Sequence, residues 1–270
     1  MNKKRKIAFF ACLLVFLAAV AYLAGYYYRQ QQKEAVYEQM AEESREPDAD
    51  NGIPDAENDL ADTETEEPEE ETPEPEKEEI QIPVDFSSLQ QENPDIYAWI
   101  TIPDTVVDYP VVQRYDASYY LDHTVDGQEG LPGAIYTESL NSRDFSDPNT
   151  VIYGHNMRDG SMFGGLKQYM DASYMEEHPE IVIYTPEHQF TYRVFAAVTY
   201  DNRHILKNFD FEDEESFQNF LDSLKQVRNM RSYVDESIDV TAGDRILTLS
   251  TCTGNDEERF LVEAVLTDEK

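Results

Sequence analysis

Residues 7–28 form a run of 22 residues without a charged side chain, and no other feature constrains this chain more strongly. A helix of that length, at about 1.5 Å per residue, crosses a hydrocarbon core of roughly 30 Å. Basic residues fill positions 3–6 before the run, and only Arg29 follows it directly. Because an excess of positive charge stays in the cytoplasm, residues 1–6 are predicted to be cytoplasmic and the chain after residue 28 extracytoplasmic.

A cleaved signal peptide is the alternative interpretation of this run. The triplet Ala19-Val20-Ala21 fits a small-residue cleavage site. However, the apolar region of a secretory signal is typically about 7 to 15 residues long. Here the apolar run continues through Tyr28, which favours a permanent transmembrane anchor at residues 7–28.

Residues 29–79 have the composition of a disordered tether. Positions 33–79 hold 21 of the 56 acidic residues and five prolines, with almost no large apolar residue after Met40. Such a segment buries too little apolar surface to offset the entropy that ordering would cost. The sequence therefore predicts an extended, self-repelling spacer between the membrane and the folded domain.

Charge and cysteine content exclude several classes of protein. The formal net charge is −35, whereas binding to the phosphates of nucleic acid relies on clustered Lys and Arg. Two cysteines are too few for a disulfide-stapled scaffold. The acidic segment lacks the D-x-D-x-D-G spacing of a calcium loop, and no metal or cofactor is expected.

The folded domain is predicted to span residues 80–270 and to be mainly β. Short β-rich runs recur between turn residues such as Pro103-Asp104 and Pro132-Gly133. About eight such runs in one domain indicate a closed or nearly closed barrel. The predicted strands are 97–102, 106–113, 134–137, 150–154, 181–185, 190–200, 245–251 and 260–266.

Only a few helices are predicted, at the periphery of the barrel. Apolar residues at positions 217, 220, 221, 224 and 227 fall at helical spacing. Acidic residues at 213–215 precede them, where negative charge meets the positive end of the helix dipole. A helix is therefore predicted over 217–227, and a shorter one over 86–91 stops before Pro94.

Cys252 is the only cysteine outside the predicted membrane span, because Cys12 lies within it. A lone thiol on the oxidising side of a membrane has no intramolecular disulfide partner, which makes a reactive cysteine a serious hypothesis. The alternative is a small, buried apolar side chain. Alternation along 245–252 places the thiol at the end of a strand, on the more polar face with Thr248 and Ser250.

A thiol attacks as the thiolate and needs a base or a nearby positive charge. His155 lies where the predicted strand 150–154 opens into a loop, whereas the histidines at 123, 178, 188 and 204 are predicted to be structural or surface residues. Arg259 opens the last strand, and its guanidinium offers fixed donors to a developing oxyanion. The alternative is an exposed arginine that pairs with a carboxylate of Glu257, Glu258 or Glu263. The residues alone thus give a candidate Cys-His-Arg set.

Three segments of the sequence resemble the sortases. One is Thr248-Leu249-Ser250-Thr251-Cys252 followed by Arg259, and the second is Tyr153-Gly154-His155-Asn156-Met157. The third, residues 93–100, is similar to the class B sortases together with two later motifs, Tyr109-Pro110-Val111-Val112-Gln113 and Tyr119-Tyr120-Leu121. The resemblance covers residues 85–266, which is nearly the whole folded domain.

This resemblance implies an eight-stranded sortase-type barrel and a cysteine transpeptidase of the Gram-positive cell envelope, anchored in the cell membrane. It implies that Cys252 is the nucleophile that carries an acyl-thioester, that His155 is the general acid/base, and that Arg259 positions substrate and stabilises the oxyanion. The implied partners are a secreted protein with a C-terminal sorting signal and an amine acceptor. That acceptor is either a lipid-linked peptidoglycan precursor or, in a pilin-polymerising enzyme, a lysine of another subunit.

Two other functions stay open at this point. A cell-wall cysteine hydrolase would use the same thiol and imidazole with water as the acceptor, but it does not need a fixed arginine, so Arg259 favours transfer. An inactive, membrane-tethered binding domain would not need the thiol at all.

Overall fold

The computed structural model describes residues 3–45, 82–116, 118–227 and 232–270. Its first element is one helix, α1 (Lys3–Glu43), which contains the predicted membrane span. Judged by length and composition, the part from Cys12 to Glu43 could cross a membrane. Large apolar side chains between Leu13 and Tyr28 are exposed, as a surface in contact with lipid would be.

The prediction of a disordered tether from residue 29 is wrong for residues 29–43, which continue α1. This part is rich in Gln, Glu, Lys, Ala and Met, which favour a helix. Its few apolar side chains lie on one side, and Tyr37 and Met40 are buried against the folded domain. Burial on the domain supplies the stabilisation that the acidic composition alone does not. The rest of the predicted tether, residues 46–79, lies outside the described residues.

Nine strands are described in the folded domain, and eight of them match the predicted ones. The additional strand, β7, has two residues and carries no readable sequence pattern. The strands are β1 (Ile96–Thr101), β2 (Asp108–Gln113), β3 (Ile135–Thr137), β4 (Asn149–Tyr153), β5 (Glu180–Tyr184), β6 (Gln189–Asp201), β7 (Tyr233–Val234), β8 (Ile246–Cys252) and β9 (Glu258–Glu269).

The strands form a closed barrel in the order β5-β1-β2-β3-β4-β8-β9-β6, and β6 pairs with β5 to complete the circle. β7 pairs with β6 beside this circle and takes no part in the closure. The pairs β2–β3 and β4–β8 are parallel, and the remaining pairs among the described strands are antiparallel. The predicted eight-stranded barrel is therefore confirmed.

Among the described residues, four further α-helices lie around the barrel: α2 (Phe86–Glu92), α3 (Ala172–Glu177), α4 (Ile205–Asn208) and α5 (Glu214–Gln226). Two short 3-10 helices span Tyr119–Leu121 and Leu166–Met170. The predicted helices over 86–91 and 217–227 correspond to α2 and α5. α5 begins before the predicted start because Asp213 caps it, accepting a 2.8 Å hydrogen bond from the backbone N–H of Ser216. Its buried face comprises Phe217, Phe220, Leu221 and Leu224.

The barrel wall is buried on both faces next to α5. On β8, Leu247 and Leu249 belong to the main core, whereas Ile246 packs in a second cluster with side chains of α5 and of β9. This second layer also covers the face that the sequence pattern marks as more polar. Thr248 is fully buried and Ser250 is buried as well, so only Cys252 on that face of β8 is exposed.

Glu263 on β9 is a fully buried carboxyl group beneath this layer. Thr248 Oγ1 lies 2.7 Å from Glu263 Oε2 and 3.0 Å from Asn149 Oδ1. One hydroxyl proton cannot serve both acceptors, but a protonated Glu263 can donate to Thr248 Oγ1, which then donates to Asn149. Burial raises the pKa of Glu263 from 4.5 to about 8, which keeps this chain of donors intact at neutral pH.

Replacing Glu263 by Gln is expected to remove a pH dependence of stability. Between pH 4.5 and about 8, Glu263 is protonated in the folded state and ionised in the unfolded state. Unfolding then releases a proton, so the free energy of unfolding falls as pH rises, by up to about 1.4 kcal/mol per pH unit. Urea unfolding followed by the fluorescence of Trp99, the only tryptophan, measures this slope.

Glu257→Gln, at an exposed position of the β8–β9 loop, is the matched control and is expected to keep the wild-type slope. Equal slopes for wild type and Glu263→Gln over this pH range would contradict the assignment of a protonated, buried carboxyl group.

Candidate active site

The hairpin of β8 and β9 brings Cys252 and Arg259 together. Cys252 is the last residue of β8, and its Cα lies directly opposite that of Arg259 in the antiparallel pair. Side chains of directly opposed residues leave the sheet on the same face, with Cβ atoms about 4.5–5.5 Å apart. The thiol and the guanidinium stem therefore start from adjacent points at the mouth of the hairpin.

The parallel pair of β4 and β8 brings His155 to the same edge. Tyr153, the last residue of β4, is in register with Ser250, so both strands end side by side. Beyond the register, the Gly154 N–H donates to the Ser250 carbonyl (3.2 Å), and Thr251 Oγ1 donates to the Gly154 carbonyl (2.7 Å). Asn156 Nδ2 then donates to the Cys252 carbonyl at 2.7 Å. These bonds hold the backbone on both sides of His155 against the end of β8.

The imidazole of His155 is half-buried and is fixed by the loop between β2 and β3. Its Nε2 lies 2.6 Å from the carbonyl oxygen of Leu121. A carbonyl oxygen only accepts, so Nε2 carries the proton, and in the neutral ring Nδ1 is the atom with the free lone pair. Gly133 packs against the same ring, since a Cβ on Gly133 would lie 2.9 Å from His155 Cδ2.

Cys252 is an exposed free thiol. The alternative of a buried apolar cysteine is therefore not the arrangement found. A cavity of about 170 Å³ opens beside it, and Phe163, Met170 and Phe260 give this cavity an apolar lining. Asn156 and Lys167 add an amide and an ammonium group to the rim. Among the described residues, no group of three or more His, Cys, Asp or Glu side chains is arranged to hold a metal ion.

Arg259 is held by backbone carbonyl groups of its own hairpin. Its Nη1 donates to the carbonyl oxygens of Glu258 (2.8 Å) and Asp256 (3.3 Å). Within the described part of the chain it forms no ion pair, so the predicted alternative of a partner among Glu257, Glu258 and Glu263 is not the arrangement found. Since carbonyl groups orient the guanidinium without neutralising it, its other N–H groups keep their charge-assisted donor capacity.

Two tyrosines extend this surface from Cys252 across β4 and β3. Tyr153 is opposite Tyr136, and their rings stack with centroids 5.4 Å apart. Burial, with smaller contributions from the charges of Glu138 and Cys252, raises the pKa of Tyr136 to about 12, and the Arg259 guanidinium opposes these effects. These two rings are not among the site residues predicted from the sequence. The available signal was the position of Tyr153 at the end of the strand, two residues before His155.

The other four histidines have partners of their own. His204 Nε2 lies 2.7 Å from Glu138 Oε2 and joins the segment after β6 to the end of β3. His123 pairs with Asp122, and His178 Nδ1 lies 3.3 Å from the carbonyl oxygen of Pro103. The backbone N–H of His188 donates to Thr185 Oγ1 in the turn between β5 and β6. These contacts agree with the predicted structural and surface positions.

Comparisons with known proteins identify relatives of this chain. A family model described as a Sortase domain matches residues 100–267. Sortase B of Listeria monocytogenes is 35% identical over 176 residues, which cover 65% of this chain and 70% of that protein. Sortase B of Staphylococcus aureus is 32% identical over 167 residues, covering 62% of this chain and 67% of that protein.

Solved structures give the same result. Sortase B from B. anthracis in complex with AAEK1 has a TM-score of 0.60 and 34% identity, covering 68% of this chain and 84% of that one. A Staphylococcus aureus sortase B–substrate complex has a TM-score of 0.60 and 31% identity, again covering 68% of this chain and 84% of that one. The resemblance to class B sortases is confirmed by these matches.

Substituting Gly133 by Ala is expected to displace the imidazole of His155. Gly133 has φ +68°, and an added Cβ would lie 3.0 Å from the carbonyl oxygens of Tyr120 and Leu121. The cost of the left-handed conformation and of these contacts together is about 1–3 kcal/mol in the free energy of unfolding. Urea unfolding measures this loss, and the ¹⁵N resonances of the His155 ring report the displacement.

Gly160→Ala is the matched control, because Gly160 has φ +92° and open space where its Cβ would be. It is expected to lose about 1 kcal/mol and to leave the His155 resonances unchanged. Identical His155 spectra for both variants would show that Gly133 does not fix the ring.

Proposed function

This chain belongs to the sortase family, whose members are cysteine transpeptidases, and we propose that it joins secreted proteins to an amine of the cell envelope from a membrane anchor. The observation that supports this most directly is the convergence of Cys252, His155 and Arg259 at one edge of the barrel, from three strands linked by register. A thiol, an imidazole and a guanidinium at one site provide the nucleophile, the acid/base and the oxyanion donor that acyl transfer needs.

In the first half-reaction, Cys252 Sγ attacks the carbonyl carbon of a threonine within the C-terminal sorting signal. The N–H groups of Arg259 stabilise the negative charge that develops on the carbonyl oxygen. As the carbon–nitrogen bond breaks, His155 delivers a proton to the departing amine, and a thioester on Cys252 is left. The proton that His155 delivers is the one that the Cys252 thiol gives up, so this half-reaction needs no other proton source.

In the second half-reaction, an acceptor amine attacks the thioester carbonyl. His155 takes the proton that the amine loses, and the Cys252 sulfur leaves and recovers its proton. A thioester conserves the reactivity of the peptide bond that was broken, so the new amide forms without ATP. The acceptor is the amine of a lipid-linked peptidoglycan precursor, or a pilin lysine if the product is a polymer.

The proposed topology puts the catalytic domain outside the cell and the N-terminus in the cytoplasm, as in a Gram-positive bacterium. Its support is the basic flank at positions 3–6 and the long apolar part of α1. Against a cleaved signal peptide stands the continuation of α1 from the apolar part to Glu43 without interruption. Both substrates, a membrane-held secreted protein and a lipid-linked precursor, are then found just outside the same bilayer.

A transfer assay tests the proposed activity against hydrolysis by the same thiol. The full-length protein in detergent is incubated with a library of sorting peptides and an excess of an oligoglycine, a diaminopimelate-containing peptide or a lysine peptide. Mass spectrometry then compares amide and acid products. Predominant transfer to one of these amines is expected, and hydrolysis as the main outcome with every amine would favour a cell-wall cysteine hydrolase.

Cys252→Ala is expected to abolish peptide cleavage, by more than about 10³-fold, because the variant lacks the sulfur on which the proposed acyl-enzyme forms. The exposed position of Cys252 predicts that folding is unaffected, with the same urea unfolding midpoint as wild type. Cys12→Ala is the matched control and is expected to cleave at the wild-type rate. Unchanged cleavage by Cys252→Ala would instead support a binding domain or a different nucleophile.

Arg259→Lys is expected to lower kcat by about 10²–10³-fold, because a single ammonium does not reproduce the fork of guanidinium donors. Arg193→Lys, at an exposed position of β6, is the control and is expected to keep wild-type kinetics. Steady-state rates of cleavage measure both variants. Near wild-type kcat for Arg259→Lys would refute the role of Arg259 in stabilising the oxyanion.

A further inference from the structure

We propose that α1 is a rigid strut that runs from the bilayer directly onto the barrel and holds the His155 loop at the membrane surface. The domain is then not carried at the end of a long tether. This inference rests on the proposed membrane span, but it is independent of the chemistry proposed for Cys252.

Three contacts along α1 and just beyond it set the orientation of the barrel. Lys33 Nζ donates to the carbonyl oxygen of Glu129, and one turn later Tyr37 Oη donates to the carbonyl oxygen of Gly133. Beyond the end of the helix, Arg45 pairs with Asp108 at 2.5 Å. Segment 129–133 therefore runs along α1, with residue 129 nearer to the apolar part of the helix than residue 133. The start of β2, at Asp108, lies farther from that apolar part.

Tyr37 and Met40 form the apolar centre of this contact. Tyr37 is 3% exposed and Met40 is 7% exposed. The ring of Tyr37 packs edge-on against that of Tyr109, with centroids 5.7 Å apart, and its hydroxyl accepts a 3.1 Å hydrogen bond from the Val125 N–H. Residues just after the undescribed segment 46–81 contact the C-terminal end of α1, since the Asp85 N–H donates to the Ser44 carbonyl at 3.0 Å.

The segment that α1 contacts is also the segment that fixes the candidate base. Gly133 accepts from Tyr37 and packs on the His155 ring, and Leu121, in the same loop, supplies the carbonyl that accepts from His155 Nε2. Along the helix, Tyr37 is nine residues past Tyr28, a rise of about 14 Å. With the reach of the tyrosine side chain, the His155 loop lies within roughly 20 Å of the end of the apolar run.

Several carboxyl groups work against this docking, although Asp108 is neutralised by its ion pair with Arg45. A cleft of about 530 Å³ between α1 and the barrel is lined by Asp108 and by the carboxyl groups Glu34, Glu38, Glu42 and Asp159. Burial raises the pKa of Glu34, and the charge of Asp159 raises it further, as expected of carboxyl groups pressed together. Since like charges repel across the cleft, removal of the Tyr37 and Met40 side chains is expected to release α1.

Energy transfer in membranes tests this position directly. The full chain carrying Cys12→Ala keeps Cys252 as its single thiol, which is labelled with a donor dye after reconstitution into nanodiscs with acceptor-labelled lipid headgroups. High transfer is expected. In Tyr37→Ala/Met40→Ala the apolar contact between α1 and the domain is lost, and the efficiency of energy transfer is expected to fall about twofold or more.

Tyr115→Ala, at a side chain that is 95% exposed, is the control and is expected to match the reference. Equally low energy transfer in the Cys12→Ala protein and in the double variant, or equally high transfer in both, would refute the proposal that α1 holds the domain at the membrane. A chain that fails to copurify with nanodiscs would overturn the proposed membrane span, while loss of transpeptidation with high transfer would count only against the proposed chemistry.

Hydrogen exchange keeps the proposal testable if the double variant does not fold. The amide of Val125 donates to Tyr37 Oη, so it is expected to exchange slowly in the wild type and at least about tenfold faster in Tyr37→Phe. Equal exchange rates at Val125 in the two proteins would show that α1 does not dock there in the membrane.

Discussion

The parallel pairing of β4 with β8 is the constraint on which the site depends. It makes two strands far apart in sequence end at one edge, where the chain places His155 beyond one strand and Cys252 at the end of the other. The antiparallel turn to β9 then adds Arg259 opposite Cys252. A slip of one residue in either register would send the Cys252 side chain to the opposite face of the sheet. Burial of β8 on both faces, by the barrel core and by the layer under α5, is what prevents that slip.

The site combines a rigid backbone with exposed reacting groups. Backbone and side-chain hydrogen bonds around Gly154, Asn156 and Thr251 fix the frame, and carbonyl oxygens orient both His155 and Arg259. Cys252 itself stays exposed, as its proposed role of nucleophile towards a large peptide substrate requires. Docking of α1 on the loop that carries the Leu121 carbonyl extends the same frame towards the proposed membrane span.

The strands, the main helix and the candidate site could largely be predicted because each depends on a local sequence pattern. Turn residues and short β-rich runs predict the eight barrel strands, and helical spacing predicts α5. The motifs around Cys252 and His155 single out residues that the strand pairing brings to one edge. The features that could not be predicted depend on contacts between residues that are far apart in the sequence. The burial of Thr248 and Glu263 depends on α5 covering that face, and the ring pair of Tyr136 and Tyr153 depends on pairing across the sheet. The helical extension over residues 29–43 was not predicted because the strongly acidic composition of residues 33–79 as a whole outweighs the apolar side chains of Tyr37 and Met40.

The most direct test of the account is the intact mass of the full-length protein, quenched in acid during turnover of a sorting peptide. The expected result is a mass increase equal to the N-terminal fragment of the peptide, which is sensitive to hydroxylamine and is located on Cys252 by fragmentation. Continued turnover with no adduct, or with the adduct on another residue, would contradict it.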